Sequence, residues 1–265
     1  MTTPLTRRPL GRTGLSVFPI ALGTVKLGRT TGLKYAAPVT LPTDEQALTL
    51  LRTARDLGVN LIDTAPAYGS SETRLGALWP RIWSRGDVLL CTKVGEVFDE
   101  HSATSTYDFS PAHIRASIDR SLARLGTDHV DIALLHFRGN DDLDATTLRE
   151  GRALATLRDL QRAGKVRAVG ASIGTPAGGH LAASLGDVVM LSLHATPQGL
   201  AGDIDTLAAC AAANTGVLIK KPLASGHTTL APAHALSAVL AAQGVTAAVV
   251  GTANPAHLSQ LCTGC

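Results

Sequence analysis

LIDTAPAYGSSETRLG, residues 61–76, is the stretch whose reading decides the fold. Asn60, Leu61 and Ile62 read as the end of a buried strand. Asp63 and Tyr68 follow five positions apart, with Pro66 and Gly69 marking a turn between them. Ser70, Ser71 and Glu72 then open a helix carrying Leu75, Leu78 and Trp79. A carboxylate and a phenol therefore share a loop just past a strand, the edge where parallel α/β folds build their sites. A lone tyrosine, with a reference pKa of about 10, is a weak proton donor near neutrality and needs a cationic neighbour. The next strand supplies Lys93 at its end.

Outward from this stretch the same unit repeats. Apolar runs predict strands at Ile20–Leu22, Asn60–Asp63, Val88–Lys93, Val130–His136, Val166–Ser172, Val188–Ser192, Gly216–Lys220 and Ala247–Gly251. Helical patterns fall between them. One starts at Thr43, with Gln46 placed for a capping box, and stops at Gly58. Another covers Pro111–Leu125 behind the N-cap Ser110. Others cover Thr146–Ala163, Gly178–Leu185, Asp203–Ala213 and Pro232–Ala242. Eight strand–helix units in about 250 residues have the size of a (β/α)8 TIM barrel. A doubly wound sheet would favour an early GxGxxG, and the chain has none. Arg8 to Pro19, turning at Gly11–Gly14, reads as an N-terminal β-hairpin. No linker or low-complexity segment divides residues 1–265, so one domain is expected.

Composition narrows the function classes. Of 265 residues, 45% are hydrophobic, 17% charged and only 3% aromatic, which is an ordinary globular balance with an aliphatic core. The net charge is +3, and the cluster Arg7, Arg8 and Arg12 carries no interleaved aromatics. It reads as a solvated segment, so no nucleic-acid surface is expected. No apolar run approaches the roughly 20 residues of a membrane span, and the N-terminus lacks a signal peptide's apolar region. A cytoplasmic protein without a membrane partner, a monomer or weak oligomer, is the expectation. Cys91 and Cys210 read as small core residues. Cys262 and Cys265 form a C-terminal CxxC that reads as a flexible tail; no metal site is expected.

Asp63, Lys93, His136, Ser172 and Lys220 all fall at strand C-terminal ends, which a closed barrel brings to one mouth. With Tyr68, this constellation resembles the aldo-keto reductases. The resemblance lies in Asp63 and Tyr68 within LIDTAPAYG, Lys93 in LLCTKV and His136 in DIALLHF. It runs from PLGRTGLSVFPIALGT through VGASIG and LIKKPLASGH to VVGTANPAHL. It implies a barrel that binds NADPH, or NADH, and reduces a small-molecule aldehyde or ketone. Physical chemistry agrees with that reaction. Hydride addition to a carbonyl builds negative charge on oxygen, which must be protonated or held. Tyr68 is the candidate general acid. Lys93 would lower its pKa, Asp63 would fix Lys93, and His136 would donate a hydrogen bond to the substrate oxygen.

The resemblance also places the cofactor. Gly23 and Thr24, which end the first strand, and Asp63 are expected to contact it. Ser172 stands where the family bonds the nicotinamide carboxamide. Lys221, Pro222, Leu223, Ala224, Ser225 and Gly226 resemble the loop over the pyrophosphate. Gly251, Thr252 and the helix start after them resemble the adenosine-phosphate site. Four departures stand out: Ile173 for the family's Asn, Met190 for its Gln, Lys220 for its stacking aromatic, and His257 for the arginine that clamps the 2′-phosphate. Against the family's pattern, a curtailed final helix without the long C-terminal substrate loop is expected. Trp79, Phe98, Phe137 and residues 100–109 are candidate substrate walls. Two other functions fit part of the pattern. One is a Schiff-base lyase or aldolase using Lys93 or Lys220. The other is a dinucleotide-binding sensor without turnover.

Overall fold

The first two strands, β1 (Arg8–Pro9) and β2 (Ser16–Val17), pair antiparallel with Arg8 opposite Val17. They belong to a computed structural model that describes residues 5–35, 37–139 and 141–265. Next come β3 (Ile20–Gly23), α1 (Asp44–Asp56), β4 (Leu61–Asp63), α2 (Ser71–Leu78) and β5 (Leu89–Val94). A second hairpin, β6 (Glu96–Asp99) with β7 (Thr104–Tyr107), leaves the end of β5. The chain continues through α3 (Pro111–Leu125), β8 (Val130–His136), α4 (Asp141–Glu150), α5 (Arg152–Arg162), β9 (Val166–Ser172) and α6 (Pro176–Leu185). It ends with β10 (Val188–Thr196), β11 (Gly199–Gly202), α7 (Ile204–Ala212), β12 (Gly216–Lys220), α8 (Pro232–Ala241), β13 (Ala247–Gly251) and α9 (Pro255–Thr263).

The parallel strands run in the order β10, β12, β13, β3, β4, β5, β8 and β9, and a β9–β10 pairing closes the ring. This is the eight-stranded (β/α)8 barrel with an N-terminal hairpin that the alternation predicts. Local chemistry sets the helix ends. The Thr43 hydroxyl accepts from the Gln46 amide at 3.2 Å while Gln46 Oε1 accepts from the Thr43 amide at 2.9 Å, closing the capping box that starts α1. α1 then buries Ala47, Leu50, Leu51 and Ala54 against the barrel. α3 starts at Ser110 and Pro111 and stops at Gly126, whose φ of 64° is a left-handed cap.

One apolar cluster fills the space between strands and helices. A second fills the barrel axis with Leu61, Leu89, Ile132, Ala168, Val188 and Leu218, and it includes Leu10, Leu15 and Val17 from the hairpin. The hairpin is therefore the plug of the barrel's lower end. Its arginines correct the solvated reading. Arg8 donates to the Leu240 and Val245 carbonyls (3.0 and 3.1 Å), and Arg12 to those of Ala213 and Gly186 (2.7 and 2.6 Å). These bonds satisfy carbonyls at loop and helix ends, so the charges serve as ties.

Three further differences have physical causes. The helix expected over Thr146–Ala163 is two helices, because Gly151 takes φ 70° and breaks the ladder. The β6–β7 hairpin is polar and half exposed, without the apolar run that marks a barrel strand. Cys262 lies within α9, and Cys265 Sγ donates to the Ala233 carbonyl at 3.6 Å, so the pair is docked on the core. Among the described residues no helix is long and apolar enough to cross a membrane.

Candidate active site

β4, β5 and β8 are neighbours in the ring, so Asp63, Lys93 and His136 end adjacent strands. Lys93 Nζ donates to Asp63 Oδ1 at 2.6 Å and to the Thr64 carbonyl at 2.9 Å. Both charged side chains are buried, at 1% and 4% exposure. Such a pair is stable only because each charge has the other and a polar neighbour. Tyr68 reaches the same corner from the loop. Its ring centre lies 4.8 Å from Lys93 Nζ and 6.2 Å from the His136 ring, which it meets edge to face at 82°. The four residues predicted for catalysis are therefore brought together.

The electrostatics differ from the expectation in one respect. Burial pushes the Tyr68 phenol up; Lys93 pulls it down, and Asp63 and Glu96 oppose that pull, so it ends above its ordinary value. Tyr68 thus stays protonated. Burial alone would lower Lys93, but Asp63 and Tyr68 more than reverse this, and the ammonium is held charged. His136 is lowered by burial and by the cations Lys93 and Lys220, against the opposing pull of Glu96.

Glu96 escaped the sequence reading. It opens β6, three residues past Lys93, and its Oε2 lies 2.8 Å from His136 Nδ1. At that distance the carboxylate sits within hydrogen-bond reach of Nδ1 and is the main pull opposing burial at His136. Burial would raise the Glu96 carboxyl, but His136, the Ser105 hydroxyl (2.5 Å) and Arg29 (3.9 Å) hold it at about 2. Arg29 also donates to the Ala67 carbonyl at 3.1 Å, beside Tyr68, and stacks over Phe98 at 3.2 Å from the ring centre. Glu96 opens a half-exposed hairpin strand, so the rule that singled out Lys93, a polar residue at the end of an apolar run, does not reach it. Arg29 lies in a loop with no such signal.

The opposite wall is built from β9, β10, β12 and β13. Lys220 Nζ donates to Ser172 Oγ at 3.0 Å. Burial, with the charges of Lys221 and Lys93, pushes this amine down to about 7. Beyond it, Lys221, Ala224 and Ser225 take φ of 56°, 49° and 57°. Three non-glycine residues in the left-handed region are costly, and such strain concentrates at ligand clamps. A Cβ at Gly251 would stand 2.6 Å from Tyr35 Oη, so a larger residue there would have to displace the Tyr35 side chain. Asn254 caps α9 by accepting from the Ala256 amide at 2.9 Å, and His257 lies in the first turn.

A cavity of about 760 Å³ joins the two walls. The candidate catalytic residues and, Ala224 apart, the candidate cofactor residues line it: Gly23 and Thr24; Asp63, Tyr68, Lys93 and His136; Ser172, Lys220 and Lys221; Pro222, Leu223, Ser225 and Gly226; and Gly251, Thr252 and His257; the candidate walls Phe98 and residues 100–109 do not. Met190, Glu96 and Phe137 line it too. Ile173 is fully buried. Trp79 is a core residue instead of a wall, with its indole N–H donated to the Leu125 carbonyl at 2.8 Å.

Fold and site together define a (β/α)8 barrel with a cleft at the C-terminal ends of its strands, lined by several charged side chains. The chain belongs to the aldo/keto reductase family, whose profile matches residues 19–230. A solved structure assigned as an aldo-keto reductase from Pseudomonas aeruginosa is 41% identical with a TM-score of 0.84, covering 97% of this chain and 93% of that one. L-galactose dehydrogenase of Arabidopsis thaliana is 34% identical over 171 residues, which are 63% of this chain and 48% of the relative. The NADH-specific methylglyoxal reductase of Escherichia coli is 32% identical over 175 residues, 62% of this chain and 51% of the relative. The chain thus spans about half the length of the curated relatives it matches.

Proposed function

We propose that the protein reduces small aldehydes or ketones to alcohols, or catalyses the reverse oxidation, with NADPH or NADH in the cleft. The observation that carries this reading is the buried Asp63–Lys93 pair packed against Tyr68 and His136 at one end of that cleft. The two curated relatives act, by name, on L-galactose and methylglyoxal, which favours small oxygenated carbonyl compounds as the substrate class.

The residues present fit a dinucleotide. The cavity volume lies in the usual range of cofactor sites. Ser172 and Lys220 offer polar groups near the Asp63–Lys93 corner. Lys221 to Gly226 offers a cationic, strained loop for the pyrophosphate. Gly251, Thr252 and the capped start of α9 offer small residues and a helix N-terminus for an anion. When bound, the dinucleotide supplies or accepts the hydride.

The chain's own part is proton placement. Tyr68, kept protonated by burial, gives its proton to the oxygen as negative charge builds there. Lys93 stabilises the phenolate that remains, and Asp63 fixes Lys93 at 2.6 Å. Glu96 beside His136 Nδ1 favours a proton on that nitrogen. Nε2 can then donate to a substrate oxygen only when the ring carries a second proton. Glu96 favours that proton, and burial, Lys93 and Lys220 oppose it. His257 has no guanidinium fork, so a weaker preference for NADPH over NADH than an arginine would confer is expected.

The test is a panel of aldehydes and ketones, methylglyoxal among them, followed by nicotinamide absorbance with each cofactor. Carbonyl-dependent consumption of at least one cofactor is expected. Tight cofactor binding with no turnover across the panel would make the protein a dinucleotide sensor instead.

A further inference from the structure

Two lysines end barrel strands inside the cavity, and their surroundings are opposite. Lys93 is locked to a carboxylate at 2.6 Å and is 1% exposed. Lys220 Nζ donates to a neutral acceptor, Ser172 Oγ at 3.0 Å; Asp203 and Asp144 pull on it only weakly, and burial with the charges of Lys221 and Lys93 outweighs them. Its side chain lines the cavity that a small carbonyl compound must enter.

We propose that Lys220 is an amine nucleophile that captures small aldehydes as a Schiff base at this wall. The inference rests on the reading that small carbonyl compounds enter the cavity, and it needs no hydride transfer. Burial and the neighbouring cations leave a share of Lys220 as free amine near neutrality, whereas Lys93 stays an ammonium. The Lys220 lone pair attacks the carbonyl carbon, an N–C bond forms, and the C=O π pair moves onto oxygen. Ser172 Oγ, which already accepts from Nζ, relays an amine proton to that oxygen. The resulting carbinolamine loses its hydroxyl with the second amine proton as water, leaving C=N. Nothing is oxidised or reduced.

The experiment treats the wild-type protein with limiting butanal and sodium cyanoborohydride, which reduces any imine to a stable butyl-lysine. Peptide mapping by mass then locates the label. Each pKa unit below an ordinary lysine raises the free-amine fraction about tenfold, so Lys220 should label at least roughly tenfold faster than surface Lys34 and Lys165. Lys93 should stay unlabelled. Lys220→Arg, which keeps the charge but cannot form an imine, should remove the fast-labelling site. Label on Lys220 no faster than on Lys34 and Lys165, or concentrated on Lys93, overturns the inference. Fast label at Lys220 in a protein that consumes no cofactor would sustain capture and remove the reductase reading. Cofactor consumption without label at Lys220 would do the reverse.

Discussion

The two walls of the cleft use the same barrel positions in opposite ways. On the β4–β5–β8 wall, each of Asp63, Lys93, His136 and Glu96 has a close partner of opposite or complementary charge. On the β9–β12–β13 wall, Lys220 leans on a hydroxyl, and the backbone beyond it is strained into left-handed conformations. A wall of paired charges fixes geometry before a substrate arrives, which is what stabilisation of developing charge requires. A wall with surplus positive character and bent backbone suits an anionic ligand that completes it. The contrast between Lys93 and Lys220 shows that strand-end position alone does not set a lysine's chemistry; the carboxylate beside it does.

Four substitutions would break or sharpen this contrast. Tyr68→Phe keeps the ring and removes the proton, so carbonyl reduction should fall by roughly 10²- to 10⁴-fold while cofactor titration stays unchanged. Near-normal turnover would remove Tyr68 from the mechanism. Lys93→Met strands Asp63 as a buried, unpaired carboxylate, at a cost of about 3–5 kcal/mol of stability, with activity lost. Thermal unfolding should show part of that stability regained in the double variant with Asp63→Asn. An unchanged melting temperature in Lys93→Met would mean that Asp63 does not depend on Lys93 for its charge.

Glu96→Gln should have a smaller effect, visible in its pH dependence. The folded-state carboxyl sits at about 2, below the ordinary carboxylate range. Its interactions therefore add stability that is fully present above about pH 5 and lost as pH falls towards 2. The stability gap between wild type and variant should close over that window. His136 loses the neighbour that favours its second proton, so the low-pH rise in activity should move to lower pH. Coincident pH profiles would remove Glu96 as the residue that positions His136. His257→Arg should be mildest, tightening NADPH binding by roughly tenfold through a bidentate phosphate contact, with NADH binding unaltered. Equal gains for both cofactors in fluorescence titration would place the phosphate elsewhere.

How much of this was legible depended on burial. β8, β9, β12, β13 and α3 have the bounds that apolar runs and end signals predict, because both faces of a barrel strand are covered and Ser110, Pro111 and Gly126 are explicit stops. The site was legible for the same reason: a polar residue ending an apolar run is conspicuous, as with Asp63, Lys93 and Ser172. Glu96 was hidden because it starts a half-exposed hairpin, where a glutamate is the default surface residue. Arg8 and Arg12 were misread because their partners are carbonyls more than 170 residues away, which no local pattern reveals. The net shift of Tyr68 was unreadable as well, since it is a contest between burial and Lys93 that only three-dimensional packing decides.

The central claim is that hydride reaches a carbonyl in this cleft while Tyr68 supplies the proton. The direct measurement is the mass spectrum of the alcohol formed from a reactive aldehyde with cofactor deuterated at nicotinamide C4, in wild type and Tyr68→Phe. The account predicts one deuterium on the former carbonyl carbon in the wild-type product, and little product of any kind from Tyr68→Phe under the same conditions. Alcohol without deuterium, or labelled alcohol formed equally well by Tyr68→Phe, would contradict it.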